Sequence, residues 1–425
     1  MKSSGKLLQW ISAELFFIVS VISTVMFGVF SNSIANDMHL STNLLGWLSG
    51  TFFITYSVVQ FYSGRLFVIL PARWILFCSA MVAASGAFIF ARSEHLVWLF
   101  ISRGLLGIGL ATSFVGVIFV VQQNFSAKSF PMMSSLSQST ANLVAGVFGL
   151  VVVMIHNYHL SFIFLACGLI LSALLIVIFI PMNKIELAAP SQQLSLYLSC
   201  KILLKNPQLW YASFFFTGLF SAVLTFSDLF NVDFQMKVFH QSFAAATHIN
   251  AMIPFGLTIG GLIAGIWAQK TNDYRTPARV LSFIAVIMFA SIMFIRFNSS
   301  YAYYFACGIG FLFGIGCSGS ILAFQSVQRS VTDITLRPLA TSIVLTFACI
   351  FSGVIEQPTV GNFISTTELK LRMPQVSNHW LSLFDYQQAD IWHKFNNGLY
   401  LILVCIIISF IMSFLFKLTP AKTHD

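Results

Sequence analysis

The chain has 425 residues, 57% of them hydrophobic and 8% charged, with a formal charge of +9 at pH 7. Soluble domains carry about 25% charged residues, so the composition excludes a string of soluble domains; with a mean hydropathy of +0.86 it describes a polytopic membrane protein. Nucleic acid is not expected as a partner, because the basic residues fall mainly between apolar runs, where they set membrane orientation.

Lys2 and Lys6 precede a first apolar run from about Ile11 to Ile34. The run is too long for a signal-peptide core and no A-x-A site follows, so a retained first span behind a cytoplasmic N-terminus is expected. A bilayer core of about 30 Å needs about 20 apolar residues per helix. Such runs fall at 11–35, 44–69, 72–91, 96–123, 131–155, 160–181, 208–236, 243–268, 277–296, 301–328, 336–364 and 395–418, which predicts twelve transmembrane helices. Two connections are long. The segment 182–207 carries Lys184, Lys201 and Lys205 and divides the chain into a bundle over 1–181, a cytoplasmic linker and a bundle over 208–425. In it, "SLYLSCKILLKN", 195–206, predicts a short amphipathic helix on the membrane face. The polar segment 365–394, with Trp380, Tyr386 and Trp392, suits an interfacial cap over the opposite mouth.

With the N-terminus inside, fifteen Lys and Arg fall in inner segments and six in outer ones, which supports cytoplasmic N- and C-termini. The seven cysteines form no C-x-x-C pair, so neither a disulfide framework nor a metal site is expected. "HNYH", 156–159, is too weak a pattern to change that. The halves repeat each other. The fourth span carries "GLLGIGLATS", 104–113, and the tenth "FLFGIGCSGS", 311–320, so Gly107/Gly109 and Gly314/Gly316 stand 207 residues apart. Gly64 and Gly265, closing the second and eighth spans, stand 201 apart. Repeated halves around a midplane cavity are a design of alternating-access transporters.

Twelve spans in two sixes, a basic central loop and these motifs resemble the major facilitator superfamily of bacterial type over essentially the whole chain. The resemblance implies an all-α membrane fold of two pseudo-symmetric six-helix bundles. "LSTNLLGWLSGTFFITYSVVQFYSGRLFVILPARW", 40–74, is similar to the family's second helix and the loop after it. Of the pattern G-x-L-x-D-R-x-G-x-R it keeps Gly64, Leu66 and Arg73, with Val68 at the acidic position. "GIWAQKTNDYR", 265–275, keeps Gly265 and Arg275 but has Gln269 there. These are the expected gating loops, with Asp273 a possible substitute for the missing acid. "RGLLGIG", 103–109, matches the fourth-helix pattern R-x-x-x-G-x-G, whose arginine the family associates with substrate anions or proton coupling. The fifth span, "SSLSQSTANLVAGVFG", lacks the G-x-x-x-G-P signature of drug–proton antiporters, which tilts the reading toward uptake.

Arg103 is the one Lys or Arg inside a span, about 10 Å deep at about 1.5 Å per residue. Charges in hydrocarbon usually mark pathways. Asp228 and Glu356 lie at a similar depth on the seventh and eleventh spans. A pair of Arg103 with Asp228 or with Glu356 would lower the cost of each charge, and a site alternating between protonated and ion-paired is what proton coupling needs. Glu14 lies nearer the inner face, at the interface. Tyr56 and Gln60, and again Gln138 and Asn142, stand i, i+4 on one helix face. Asn32, Asn231, Asn250, Gln325 and Gln357 complete the polar candidates, and Pro254 and Pro358 free backbone carbonyls.

No G-x-x-x-x-G-K-[ST] is present and no hydrolytic triad is evident, so an ion gradient rather than a cofactor or enzymatic step is expected to supply the energy. The expected function is proton-coupled uptake of a small anionic or zwitterionic organic solute by a monomer in the bacterial inner membrane. The alternatives are efflux of a metabolite or siderophore, and a non-transporting receptor.

Overall fold

The computed structural model describes residues 2–125, 130–152, 155, 157–182, 196–271, 273–295, 301–331, 333, 336–372 and 390–417. All regular structure among them is helical. In chain order the spans are α1 (Lys2–Val29, then Ser31–Asp37), α2 (Thr42–Ile69), α3 (Ala72–Arg92), α4 (Leu96–Leu110, then Ser113–Asn124), α5 (Phe130–Val151) and α6 (Tyr158–Phe179). The second six are α7 (Pro207–Ala222, a π-helical stretch Val223–Phe230, then Asn231–Val238), α8 (Phe243–Thr271), α9 (Arg275–Phe294), α10 (Ala302–Cys317, a 3₁₀ turn Ser318–Ile321, then Leu322–Ser330), α11 (Arg337–Ile350, a π-helical stretch Phe351–Glu356, then Gln357–Arg372) and α12 (Asp390–Met412).

Eleven of these helices are long and apolar enough to cross a membrane; the apolar part of α5, Leu136–Val151, is shorter. The helix itself has 22 residues, about 33 Å at about 1.5 Å per residue, so it also reaches across a bilayer core. Side-chain oxygens fix several starts. Ser41 Oγ accepts from Leu44 N, Asn157 Oδ1 from Leu160 N, and Asn206 Oδ1 from Gln208 N ahead of Pro207. Such caps satisfy backbone donors that the first turn leaves over. Large apolar side chains such as Phe88, Val97, Phe164 and Ile178 are exposed around the outside, as lipid contact requires.

Two expected boundaries move. The first span, read as 11–35, breaks at Phe30, and the eleventh, read as ending at 364, continues as helix to Arg372. In the 182–207 linker the expected short helix is Leu196–Leu204, with Leu203 buried and Lys201 and Lys205 exposed. Lys184 in that linker, and Trp380 and Tyr386 of the expected cap, lie outside the described residues.

Gln9 of α1 accepts from Asn124 at the end of α4, and Gln208 at the start of α7 bonds Leu415 and Lys417 after α12. This is the terminal end of the molecule; the opposite end is called distal. The sequence repeat is a packing repeat. A methyl group at Gly107 would overlap the Phe52 carbonyl of α2, and one at Gly314 the Ile253 carbonyl of α8. One at Gly109 would lie 2.5 Å from Ala83 N of α3, and one at Gly316 2.5 Å from Ala285 N of α9. Each G-x-G pair therefore seats its helix on the backbones of two neighbours, which glycine alone permits. The interruptions after them, at Ala111–Thr112 in α4 and Ser318–Ile321 in α10, fall at the same repeat position.

Candidate substrate and coupling site

The two six-helix bundles meet along a seam near the distal end. Gly28 of α1 lies against the Asp228 carbonyl of α7, and Gly50 of α2 against the Gly353 carbonyl of α11. A methyl at Gly46 would stand 2.7 Å from the Gln357 carbonyl, and one at Gly361 2.7 Å from that of Thr42. Ser31 Oγ donates to the Leu229 carbonyl at 3.3 Å. Between α5 and α8, a methyl at Gly149 would stand 3.0 Å from Ala251 Cβ. The last hydrogen bond between these two helices toward the terminal end among the described residues is Thr258 Oγ1 to the Ser139 carbonyl, 3.5 Å. Farther along α8, a methyl at Gly261 or Gly265 would meet no other helix within 4 Å.

Arg103 projects from α4 into this layer and is 1% exposed. Its guanidinium carbon stands 4.1 Å from the Phe27 ring centre and 4.7 Å from that of Phe52. Nε donates to the Leu48 carbonyl at 3.4 Å, and Nη1 has no hydrogen-bond partner. A desolvated cation over an aromatic face gains about 2 kcal/mol or more, so two rings from α1 and α2 supply what an acid was expected to supply. Neither expected ion pair forms. The salt bridges among the described residues, Lys237–Asp233 and Arg275–Asp273, do not involve Arg103, Asp228 or Glu356. Phe27 adjoins Gly28 at the Asp228 contact, so Arg103 and Asp228 stand near one another along the seam while their side chains point apart.

Asp228 is carried by the π-helical stretch of α7 and is 8% exposed, its carboxyl near Thr24 of α1. Glu356 closes the π-helical stretch of α11 and is fully buried against α7. Thr225 Oγ1 donates to Glu356 Oε2 at 2.8 Å and lies 3.4 Å from Ser352 Oγ; Glu356 Oε1 has no partner. Gln357 Nε2 donates to the Leu224 carbonyl at 3.0 Å. π-helical turns leave carbonyls out of the ordinary ladder and occur often at functional sites; here one such carbonyl is taken up by the neighbouring helix. Glu14, expected at the interface, is instead 4% exposed, with neither carboxyl oxygen hydrogen-bonded.

The polar candidates divide between the bundles. Gln60 is fully buried with both amide atoms unpartnered, and Tyr56, one turn before it, stacks near Phe52. Gln138 Nε2 donates to Asn142 Oδ1 at 3.3 Å, so that pair is satisfied within α5. Asn231 donates to Asn250 at 2.7 Å, Ser227 to the same Asn250 oxygen at 3.4 Å, and Gln235 to Asn231 at 3.2 Å. This chain ties α7 to α8. Asn32 and Gln325 are half-buried, on α1 and α10 respectively. Gly310 stands at the repeat position of Arg103. There a cleft of about 40 Å³ is lined by Gly310, Asn231, Gln235, Ile249 and Ile253 among others. The second half thus leaves open a space that the first half fills with a guanidinium.

Among the gating-loop residues, Gly64 lies in α2 with surroundings outside the described residues, and the half-buried Arg73 stands near the start of α3. Asp273 Oδ1 accepts from Arg275 N at 2.9 Å and Arg275 Nε at 3.1 Å, and Oδ2 from Thr276 Oγ1 at 3.1 Å. Partial burial pushes the Asp273 carboxyl up, but these bonds and the adjacent charge outweigh it and hold the group below the usual carboxylate range. Asp273 therefore caps the start of α9 and holds Arg275 beside it. All seven cysteines are free. No group of metal-binding side chains occurs among the described residues, and His156 of the H-x-x-H pattern lies outside them.

Phe27, Phe52, Thr225 and Ser352 were not legible as site residues. Aromatic and hydroxyl residues are common in any span, and only the contact identifies these four.

The profile of the Major Facilitator Superfamily matches residues 15–356. The chain belongs to the Major Facilitator Superfamily. Solved structures similar to this superfamily member include a bacterial homolog of the human lysosomal transporter Spinster in an inward-facing, unoccupied conformation. That structure has a TM-score of 0.67 and 15% identity, covering 98% of this chain and 99% of the other. The nucleoside transporter NupG gives a TM-score of 0.66 at 15% identity, covering 98% and 100%. Curated relatives match only locally. The MFS-type transporter lnaF of Aspergillus flavus is 27% identical over 88 residues, 21% of this chain and 18% of its own. The efflux pump aunC of Aspergillus niger is 24% identical over 108 residues, 25% and 20%. The matches thus span about a fifth of the length of these relatives.

Proposed function

We propose that this superfamily member is a proton-coupled secondary transporter that takes up a small anionic or zwitterionic organic solute. Its two units, 1–181 and 208–425, rock about the seam while 182–207 links them on the cytoplasmic side. The observation that carries this reading is the position of the charges. Asp228 and Glu356 stand in the π-helical stretches whose backbones form the seam with Gly28 and Gly50, and Arg103 stands one helix away. Groups that change charge there act directly on the contacts that must part for the distal end to open. The fold similarity to an inward-facing transporter supports assigning the distal end to the outside. The excess of Lys and Arg at the terminal end supports the same orientation, with both termini cytoplasmic.

Arg103 is the residue assigned to the anionic group of the solute, with Tyr56, Gln60, Asn32 and Gln325 supplying neutral contacts. Glu356 and Asp228 are assigned to proton exchange. Efflux is the second reading, favoured by the local similarity to a fungal efflux pump. The test is reconstitution in liposomes with an imposed pH gradient and a panel of radiolabelled organic acids and amino acids. Accumulation down the proton gradient supports uptake, and expulsion against it supports efflux. No movement of any solute under any ion gradient refutes both.

A further inference from the structure

The proton site needs a route to water, and the distal seam blocks one direction. Gln357, next to Glu356, has its carbonyl packed on Gly46, and Gly353 packs on Gly50. On the other side, α7 presents Ser213, Thr217, Ser221 and Thr225 at i, i+4 spacing, so they form one slowly winding ladder from the terminal end to Glu356. All four are buried. Thr225 donates to Glu356, and the Ser221 hydroxyl lies beside the same carboxyl without completing a hydrogen bond. Thr217 Oγ1 has no partner either, whereas Ser213 bonds back to the Leu209 carbonyl.

Two unpartnered hydroxyls in succession are unusual, because buried polar groups are nearly always satisfied. In a helix most buried Ser and Thr return their proton to the preceding turn, as Ser282, Thr247 and Ser172 do here. Successive rungs are about 6 Å apart along the axis, wider than one water spans with two bonds of about 2.8 Å meeting at an angle, so each gap takes a short chain of about two waters. Among the described residues, Cys405 of α12 interacts with Glu356, Asp228 lies farther along α7 toward α1, and no Lys or Arg is paired with the carboxyl.

We infer that the α7 hydroxyls Thr217 and Ser221 form a water-bridged proton path joining Glu356 to the terminal end. The inference rests on the reading of Glu356 as a proton site. In the step, the Glu356 O–H bond breaks, and its proton passes to the Ser221 oxygen or a water beside it. Each oxygen on the ladder accepts one proton and gives up another, and bulk water at the terminal end takes the last. One positive charge moves and nothing is oxidised or reduced. The path works while the seam is closed, so release is directed to the terminal side only.

The test is time-resolved infrared difference spectroscopy of the full chain in lipid nanodiscs after a pH jump, following the C=O stretch of the protonated carboxyl. Glu356→Gln identifies the band. Thr217→Val and Ser221→Ala should each slow its exchange about tenfold, the kinetic equivalent of one lost hydrogen bond. The midpoint and amplitude should stay as in the wild type, which a merely structural role would not preserve. Thr217→Ser, which keeps the hydroxyl, should restore the rate, and Thr217→Ala serves if the valine variant misfolds. Wild-type exchange in both hydroxyl-free variants overturns the path. A band that survives Glu356→Gln unchanged overturns instead the assignment of Glu356 as the proton site.

Discussion

Gly28→Ala should open the distal end. A methyl at Gly28 would overlap the Asp228 carbonyl and stand 3.0 Å from Leu229 N, both backbone atoms that cannot swing aside. The helices must separate instead. Overpacking of this kind costs about 1–3 kcal/mol, and it acts only on the closed state, since the contact is absent once the seam parts. The closed population should therefore fall relative to the open one by about 5- to 150-fold. Spin labels at Asn36 and Gln241, near the distal ends of α1 and α7, report the change by double electron–electron resonance. The variant should shift the distance distribution to longer values. Gly168→Ala is the control, because its methyl meets Val19 at an ordinary 3.7 Å within one bundle. A Gly28→Ala distribution identical to the wild type would refute the claim that backbone contact at this seam holds the distal end shut.

Arg103→Ala should abolish transport while the protein still inserts and elutes as a single species; wild-type flux in this variant would leave Arg103 a packing residue between Phe27 and Phe52. Gly107→Ala and Gly314→Ala should each destabilise by about 1–3 kcal/mol in thermal melts, because each methyl would overlap a carbonyl. Gly104→Ala, whose nearest neighbour is 3.8 Å away, should not, and equal melts for Gly104→Ala and Gly107→Ala would refute the packing account. Asp273→Asn should lower the melting temperature at pH 7, and by progressively less as the pH is taken below about 3.9. The Asp273 carboxyl is held below its unfolded value of about 3.9, so its stabilisation is complete above that pH and lost as pH falls through the lower folded value. A difference between wild type and variant that persists in acid contradicts the assignment.

The number of spans and the repeat were legible because apolar length and glycine spacing are one-dimensional signals. The 207-residue offset of Gly107 and Gly314 became two equivalent seats on neighbouring backbones. Which helices meet was legible for the same reason: Arg103, Asp228 and Glu356 all stand on helices that come together near the distal seam. Direction was not. Arg103 turns between two phenylalanines, and Glu356 turns into its own bundle toward Thr225. A helical wheel would not have settled this, because π-helical stretches at Val223–Phe230 and Phe351–Glu356 change the rotation per residue just where the carboxylates sit. Nothing in the residue types of "VLTFSDLF" distinguishes a π-helical turn from an α-helical one. The break at Phe30 was hidden by an apolar run that continues through it.

The central claim is that protons held at Glu356 drive movement of solute between two alternately open states. It is tested most directly by recording proton and solute fluxes together in the same proteoliposomes, for the wild type and for Glu356→Gln. The account predicts that the wild type accumulates solute and dissipates the pH gradient in fixed proportion. Glu356→Gln should still exchange solute across the bilayer but fail to accumulate it. Accumulation by Glu356→Gln at the wild-type level would contradict the account.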